Sequence, residues 1–358
     1  FIPVKVSIKV YKWTDEFELP GPEEKGPSAP GGFFLDNERG LIYVALSRNN
    51  TIGVFDRNQR RLVAQIEVGI APYTVIGKGS RAYVTNWGGR RPQAGELTGP
   101  TSESEVLIDE RGVACSGTVS VIDTVSNTVI AEIPVGLHPC GMAFSPTGNR
   151  LYVANANSDT VSVIDTDSLQ VLAAWDVRPL PELPFGSAPN AVAVSADGQR
   201  VFVANGGNNC VAVLSAVNGK LFGLIPTGWY PGEIVLTSDG ATLCVANTKG
   251  SGSRTKSSRP EWQRLGPDKE APAYNSHDHL GSVSFIGVPD EETLDHFTFQ
   301  VAEYMRLPLM QRLLRPKTGM NQKKPVPTRP GETSVFRHVL YIIKENRYWA
   351  DYPLSQDR

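Results

Sequence analysis

The sequence predicts an all-β fold, a seven-bladed β-propeller with six blades as the alternative. Three observations carry that expectation: a repeat of roughly 40 residues, short runs of alternating β-branched and aromatic residues inside it, and turn pairs between the runs. The repeat is plainest where Pro139-Cys-Gly-Met-Ala-Phe-Ser145, Leu151-Tyr-Val-Ala-Asn155 and Thr160-Val-Ser-Val-Ile-Asp-Thr166 recur as Pro189-Asn-Ala-Val-Ala-Val-Ser195, Val201-Phe-Val-Ala-Asn205 and Cys210-Val-Ala-Val-Leu214. The same order surrounds Leu41-Ile-Tyr-Val44, Ala82-Tyr-Val-Thr-Asn86 and Leu243-Cys-Val-Ala-Asn247. Turn pairs such as Asp197-Gly198 and Asp239-Gly240 separate the runs, as hairpins require.

Each unit therefore reads as a four-stranded antiparallel blade, and radial repetition leaves only short sheet edges. Five blades are visible directly. His338-Val-Leu-Tyr-Ile-Ile343 reads as a further second strand, and the strand-like Val4 to Trp13 stretch is expected to close the ring with C-terminal strands, removing an open edge. Between 290 and 314, Leu294, Phe297, Val301, Met305 and Leu309 lie three or four apart, which predicts an amphipathic helix packed on the propeller. The stretch 317–334, rich in Pro and Lys, reads as a linker, and the whole chain, 1–358, as a single propeller domain.

Composition agrees with a globular core: 40% of residues are hydrophobic and 20% charged. A formal net charge of −2 gives no reason to expect nucleic acid or an anionic membrane as partner, and no run approaches the ~18 apolar residues of a membrane-spanning helix. The sequence begins at Phe1 and enters a strand at once, so the expectation is an exported protein whose signal has been removed. The four cysteines, Cys115, Cys140, Cys210 and Cys244, form no Cys-x-x-Cys pair, which leaves two disulfides or four buried thiols. With disulfides, Cys115 pairs with Cys140 and Cys210 with Cys244.

Two long insertions, 88–116 and 248–280, fall between the second and third strands of their blades, so both rise from one face. Loops of such length carry function more often than they serve the fold. In the second, Lys249, Arg254, Lys256 and Arg259 lie in a Gly/Ser-rich stretch that is either a solvated loop or a partner-facing one. His277, Asp278 and His279 have ligand-type side chains at short spacing, and read either as part of a metal site or as hydrogen-bonded loop residues. Asp56, Asp123 and Asp165 end third strands and read as turn stabilisers rather than acids or bases. The nucleophile elbow, Walker loop and zinc-protease motifs are missing, so no catalytic or cofactor-binding residue is assigned.

Tyr83-Val-Thr-Asn86 and Thr118-Val-Ser-Val-Ile-Asp-Thr124 make the chain resemble the propeller family named for its Tyr-Val-Thr-Asn repeat. That resemblance implies that the Pro-x-x-Val-Ala strand is innermost. Gly281-Ser-Val-Ser-Phe-Ile286 and His338-Val-Leu-Tyr-Ile-Ile-Lys-Glu-Asn-Arg347 resemble exported proteins in which such a propeller precedes a metal-dependent phosphoesterase, Glu345 and Asn346 matching the opening of that active site. The sequence closes at Arg358, so a working phosphoesterase is not expected here. In length and in its long insertion the chain also resembles the β-propeller subunits of hydrazine synthase, complexes of anaerobic ammonium-oxidising bacteria. That resemblance implies a non-catalytic scaffold with no cofactor of its own, in a periplasm-like compartment, the anammoxosome lumen. Its partners would be multihaem c-type cytochromes that carry haem c. The alternatives are the propeller of an exported phosphoesterase or a free ligand-binding propeller. Without a Cys-x-x-Cys-His motif, the purified chain is expected to carry no covalent haem; a pyridine haemochrome band migrating with it after denaturation would contradict this.

Overall fold

The computed structural model describes residues 19–22, 26–101, 104–250, 252, 280–314, 325–326, 334–338 and 340. The chain divides into two compact units, Phe1–Val301 and Ala302–Arg358. Within the first unit the described residues build five consecutive blades. Blade I holds β1 (Pro30–Asp36), β2 (Leu41–Leu46), β3 (Thr51–Asp56) and β4 (Arg61–Glu67). Blade II holds β5 (Ile70–Lys78), β6 (Arg81–Gly89), β9 (Thr118–Asp123) and β10 (Thr128–Pro134), with the hairpin β7 (Thr98–Thr101) and β8 (Ser104–Leu107) inserted between β6 and β9. Blade III is β11 (Pro139–Phe144), β12 (Arg150–Asn155), β13 (Thr160–Asp165) and β14 (Val171–Asp176); blade IV is β15 (Pro189–Val194), β16 (Arg200–Asn205), β17 (Cys210–Ser215) and β18 (Leu221–Pro226). Blade V contributes β19 (Pro231–Leu236), β20 (Thr242–Asn247) and β21 (Ser282–Gly287). All ladders are antiparallel, and the first strands β1, β5, β11, β15 and β19 lie side by side in succession. The expected innermost position of the Pro-x-x-Val-Ala strand is thus the observed one.

The core lies in the seams between blades. Tyr83, Val119, Val121 and Ile133 of blade II pack on Met142, Leu151, Val153 and Ile164 of blade III, and Phe202, Val211 and Val213 of blade IV on Ile234, Leu243 and Val245 of blade V. The recurrent aromatic of the second strand, Tyr43, Tyr83, Tyr152 or Phe202, is buried each time, and each such ring stabilises its seam by roughly 1.5–3 kcal/mol.

Polar contacts repeat with the same period. On the insertion-bearing face, Asn50, Asp159 and Asn209 stand just before the third strands of blades I, III and IV, and their side chains accept from the backbone N–H of Ala71, Ala188 and Tyr230 at the start of the next blade, at 2.9, 3.1 and 2.9 Å. On the opposite face, Arg81, Arg150 and Arg200 at the start of a second strand donate across the seam to the carbonyls of Thr166, Ala216 and Pro289, at 2.7, 2.9 and 2.8 Å. At the ends of the second strands, the buried amides of Asn86, Asn155 and Asn247 donate to Thr118 and Ser120, Thr160 and Ser162, and Ser282 and Ser284 of the third. Blade IV has Cys210 and Ala212 there, and Asn205 donates instead to the Val177 carbonyl at 2.8 Å.

The aspartates that end third strands act as the sequence suggests. Asp56, Asp123 and Asp165 each accept two backbone N–H groups of the following turn, for Asp123 those of Val125 and Ser126 at 2.7 and 3.0 Å. These bonds favour the ionised form and hold the Asp123 and Asp165 carboxyls below their ordinary value.

The segment read as one amphipathic helix is two. α1 (Glu291–Tyr304) starts at Asp290, whose carboxylate accepts the Thr293 N–H at 2.9 Å, and α2 (Leu307–Leu314) follows a break at Arg306, whose φ of +54° cannot continue a right-handed helix. α1 packs on the propeller as expected: Leu294 is buried in the seam of blades IV and V, and Thr298 Oγ1 accepts the Leu224 N–H of β18 at 2.8 Å. Neither the 317–334 linker nor the proposed closing strands, Val4 to Trp13 and His338 to Ile343, can be traced, because these stretches fall mostly or wholly outside the described residues. Asp159→Ala removes the acceptor for both Ala188 N–H and Gly186 N–H and puts alanine at a φ of +52°, so it is expected to cost about 2 kcal/mol or more in urea unfolding, whereas Asp159→Asn, which keeps an acceptor and tolerates that φ, costs clearly less.

Candidate functional site

Blade II departs from the repeat on the face that carries the insertions. Its third strand is preceded by Gly117, where blades I, III and IV place Asn50, Asp159 and Asn209, so the side-chain tie to the next blade is replaced by other groups. The residue after the second-strand asparagine is Trp87, against Ala156, Gly206 and Thr248 elsewhere. The residue before the inner-strand proline is large at two connections, Tyr230 into blade V and His138 into blade III, against Ala29, Ala71 and Ala188, and the residue after the proline is Tyr73 in blade II, against Gly31, Cys140, Asn190 and Gly232. Tyr73, Trp87 and His138 form one column: Tyr73 stacks on Trp87 with ring centroids 4.1 Å apart and planes 29° apart, and Trp87 on His138 at 4.2 Å and 20°. Below them Cys140 Sγ lies 3.5 Å from His138 Nδ1 and 3.4 Å from the His138 carbonyl oxygen, and Thr85 Oγ1 donates to the Cys140 carbonyl at 3.0 Å, joining blades II and III.

Burial sets the electrostatics of this column. It pushes the Cys140 thiol up to about 12 and holds His138 below its usual value, so at neutral pH the thiol is protonated and the imidazole neutral. Burial likewise raises the Tyr73 phenol and the Glu233 carboxyl on β19. A protonated thiol is a poor nucleophile, so the arrangement suits stacking and hydrogen bonding rather than covalent attack.

Around the column the same face presents further aromatic and cationic groups. Trp229 and Phe185 lie exposed in the connections into blades V and IV, with the Arg178 guanidinium 5.3 Å from the Phe185 ring. The first insertion is anchored: Arg91 donates to the carbonyls of Val68 and Asn50 at 2.8 Å each, Asn50 Nδ2 to Ser104 Oγ at 2.7 Å, and Arg90 pairs with Glu96, whose carboxyl it holds near 2. Of the expected loop cations, Lys249 is placed with Nζ 5.2 Å from the Tyr230 ring. Arg254, Lys256, Arg259, His277, Asp278 and His279 lie outside the described residues. Among the described residues no three His, Cys, Asp or Glu side chains cluster as a metal site would require, and no helix is long and apolar enough to cross a membrane.

The disulfides are a correction: all four cysteines are free thiols. Cys115 is exposed in the insertion, while the Cys140 sulfur turns inward to His138. Cys210 is buried in β17 of blade IV, and Cys244 sits in mid-strand between Val235 and Phe285 of blade V. The sequence reading missed Tyr73, Trp87 and Trp229. Aligning the repeats position by position exposes the first two, since both stand where other blades carry smaller residues.

Among known families, one described as "Lactonase, 7-bladed beta-propeller" matches residues 122–267. The chain is a β-propeller, and that description gives the blade count as seven, the number expected from the sequence. No curated protein matches. Similar solved structures include hydrazine synthase of Kuenenia stuttgartiensis, at 16% identity over 61% of this chain and 80% of that one with a TM-score of 0.38. A functionally unknown protein of Desulfotomaculum acetoxidans is 18% identical over 60% of this chain and 62% of that one, with a TM-score of 0.45. Streptogramin B lyase is 18% identical over 66% of this chain and 70% of that one, with a TM-score of 0.46.

Alkylation of the native protein under non-reducing conditions should label Cys115 first and leave Cys140 and Cys210 unlabelled until denaturant is added, when all four thiols react; two thiols missing from the denatured count would restore a disulfide.

Proposed function

We propose that this chain is a non-catalytic binding subunit whose insertion-bearing face docks a partner protein. The observation that carries the reading is the concentration of departures from the repeat on that face: the Tyr73–Trp87–His138 column, exposed Trp229 and Phe185 in blade connections of the same face, and the first insertion leaving blade II there. Trp, Tyr and Arg are the residue types that dominate binding energy at protein interfaces, and a rigid set of blades spares most of the ordering cost of a loop-built surface. An enzyme of the thiol or histidine type finds no support in the protonation of Cys140 and His138.

In its finer form the proposal makes the partner a multihaem c-type cytochrome and the assembly an exported redox complex of the hydrazine synthase kind, with the chemistry at haems in the partner subunits. Support for this comes from the sequence resemblance and from the second insertion, whose base, Lys249 and Gly250, is tied into the connection to blade V by Lys249 N–H to the Trp229 carbonyl at 3.0 Å and Trp229 N–H to the Gly250 carbonyl at 2.6 Å. A hairpin there needs only ~2–5 residues, so the blade itself does not require an insertion of this length.

Affinity purification from the native source tests both levels. Co-elution with a haem-containing chain is expected, and Trp229→Ala or replacement of residues 249–260 by a short turn should weaken that association about tenfold or more while leaving the thermal midpoint within a few degrees. Normal assembly of both variants would remove the face from the interface, and recovery of the chain alone, with metal-dependent hydrolysis of a chromogenic phosphate ester, would favour the phosphoesterase reading.

A further inference from the structure

On the face opposite the insertions, the hairpin that opens blade II is shorter than its counterparts. In blades III, IV and V the first strand runs into Ser145, Ser195 or Thr237, whose hydroxyl accepts the backbone N–H of Arg150, Arg200 or Thr242 beyond the turn. In blade II only Gly79 and Ser80 separate Lys78 from Arg81, and these two are register partners at the end of the β5–β6 ladder. Cross-strand partners carry their side chains on one face of the sheet, so two cations stand together, an arrangement that destabilises unless an anion joins them. Both line a cavity of about 300 Å³ in the seam of blades II and III, with Tyr83, Phe144, Thr166 and Asp167. Lys78 Nζ donates to the Thr147 carbonyl at 2.5 Å and Arg81 to the Thr166 carbonyl at 2.7 Å, and among the described residues neither cation forms an ion pair.

Tyr83 adds a third donor. Its counterpart one seam back, Tyr43, donates its hydroxyl to Asn127 Oδ1 at 2.9 Å, with the Thr124 carbonyl at 3.2 Å. In the seam of Tyr83 both acceptors are gone: Leu169 stands where Asn127 does, at a φ of +58° against +55°, and Arg81 takes the Thr166 carbonyl. Tyr83 is 2% exposed, and among the described residues its hydroxyl donates to no acceptor. Burial raises the phenol against the opposing pull of the Arg81 guanidinium, so at neutral pH it keeps its proton to donate. We propose that this cavity binds a small organic carboxylate, its oxygens on Lys78, Arg81 and Tyr83 and its body against the Phe144 ring.

The class of ligand follows from charge and shape. A guanidinium presents paired N–H groups that match a planar carboxylate. Asp167 at the cavity leaves one net positive charge from the side chains around it, which suits a monoanion better than a phosphate. Phe144 meets Tyr83 edge-on, with centroids 5.4 Å apart and planes at 79°, and gives the pocket an apolar wall. The volume is at the small end of ligand cavities. Gly148, at a φ of +73°, leaves the Lys78 ammonium its place, since a Cβ there would fall 1.2 Å from Nζ. The site does not depend on partner docking at the other face.

The test titrates the full chain with benzoate by calorimetry, with benzylamine as the same ring bearing the opposite charge. Saturable binding of one benzoate per chain is expected, and none of benzylamine. Lys78→Gln should weaken benzoate about tenfold and Tyr83→Phe about fivefold, in line with the loss of a charged and of a neutral donor. Without ligand, Tyr83→Phe should keep or raise the thermal midpoint, because its hydroxyl has no acceptor to lose, whereas Tyr43→Phe, which leaves Asn127 Oδ1 without its donor, should lower it. Absence of benzoate binding, equal uptake of benzylamine, or unchanged benzoate affinity in the Lys78→Gln or the Tyr83→Phe protein would overturn the site.

Discussion

Each blade begins at a residue forced into the left-handed region immediately before a proline: Ala29, Ala71, His138, Ala188 and Tyr230 have φ values between 46° and 56°. None is a glycine, and such backbone costs of order 1–3 kcal/mol at each site, so it persists only where the surroundings over-determine it. What over-determines it is a second left-handed residue one blade back. Asn50, Asp159 and Asn209, of the types that tolerate that region, accept the N–H of the strained residue, while their own carbonyls take the N–H of Val68, Val177 and Thr227. The turn before the third strand of one blade thus sets where the next blade starts, and the succession of blades depends on it.

The glycine that opens the connection follows from the same geometry. A Cβ on Gly136 would stand 2.7 Å from the Asn155 side chain, and one on Gly69 would stand 2.7 Å from that of Asn86, so the buried asparagine ending the second strand excludes any side chain there. On the opposite face the arginine bonds across the seam perform the matching task, and between the two faces the aromatic of the second strand fills the core. A substitution in one seam is therefore felt by two blades.

Blade II gives up the side-chain tie at one seam, having Gly117 in place of Asn or Asp, and in exchange positions Trp87, His138 and Cys140 together. The strain at His138 is retained without the partner that relieves it in blades I, III and IV. Strain held at a position that builds a side-chain cluster is the pattern of a functional site, and the insertion anchored by Arg91 to the preceding blade frames the same place.

The sequence by itself determined the propeller, because a period-two pattern of β-branched and aromatic residues with Asp-Gly turns at blade-length spacing admits few other folds; the five second strands lie where Leu41 to Val44, Ala82 to Asn86, Leu151 to Asn155, Val201 to Asn205 and Leu243 to Asn247 are found. The turn role of Asp56, Asp123 and Asp165 was legible for the same reason, being a local bond within three residues. The helix break at Arg306 was not, because apolar spacing carries no information about a left-handed residue between Met305 and Leu307. Nor was the state of the cysteines, since pairing depends on where each sulfur points: Cys140 turns to an imidazole two residues away, and Cys115 to solvent. The column of Tyr73, Trp87 and His138 is local in one half and tertiary in the other: Tyr73 and Trp87 lie on the paired strands β5 and β6 of blade II, whereas His138 comes from the connection into blade III, and only the seam between the two blades brings it within stacking distance of Trp87.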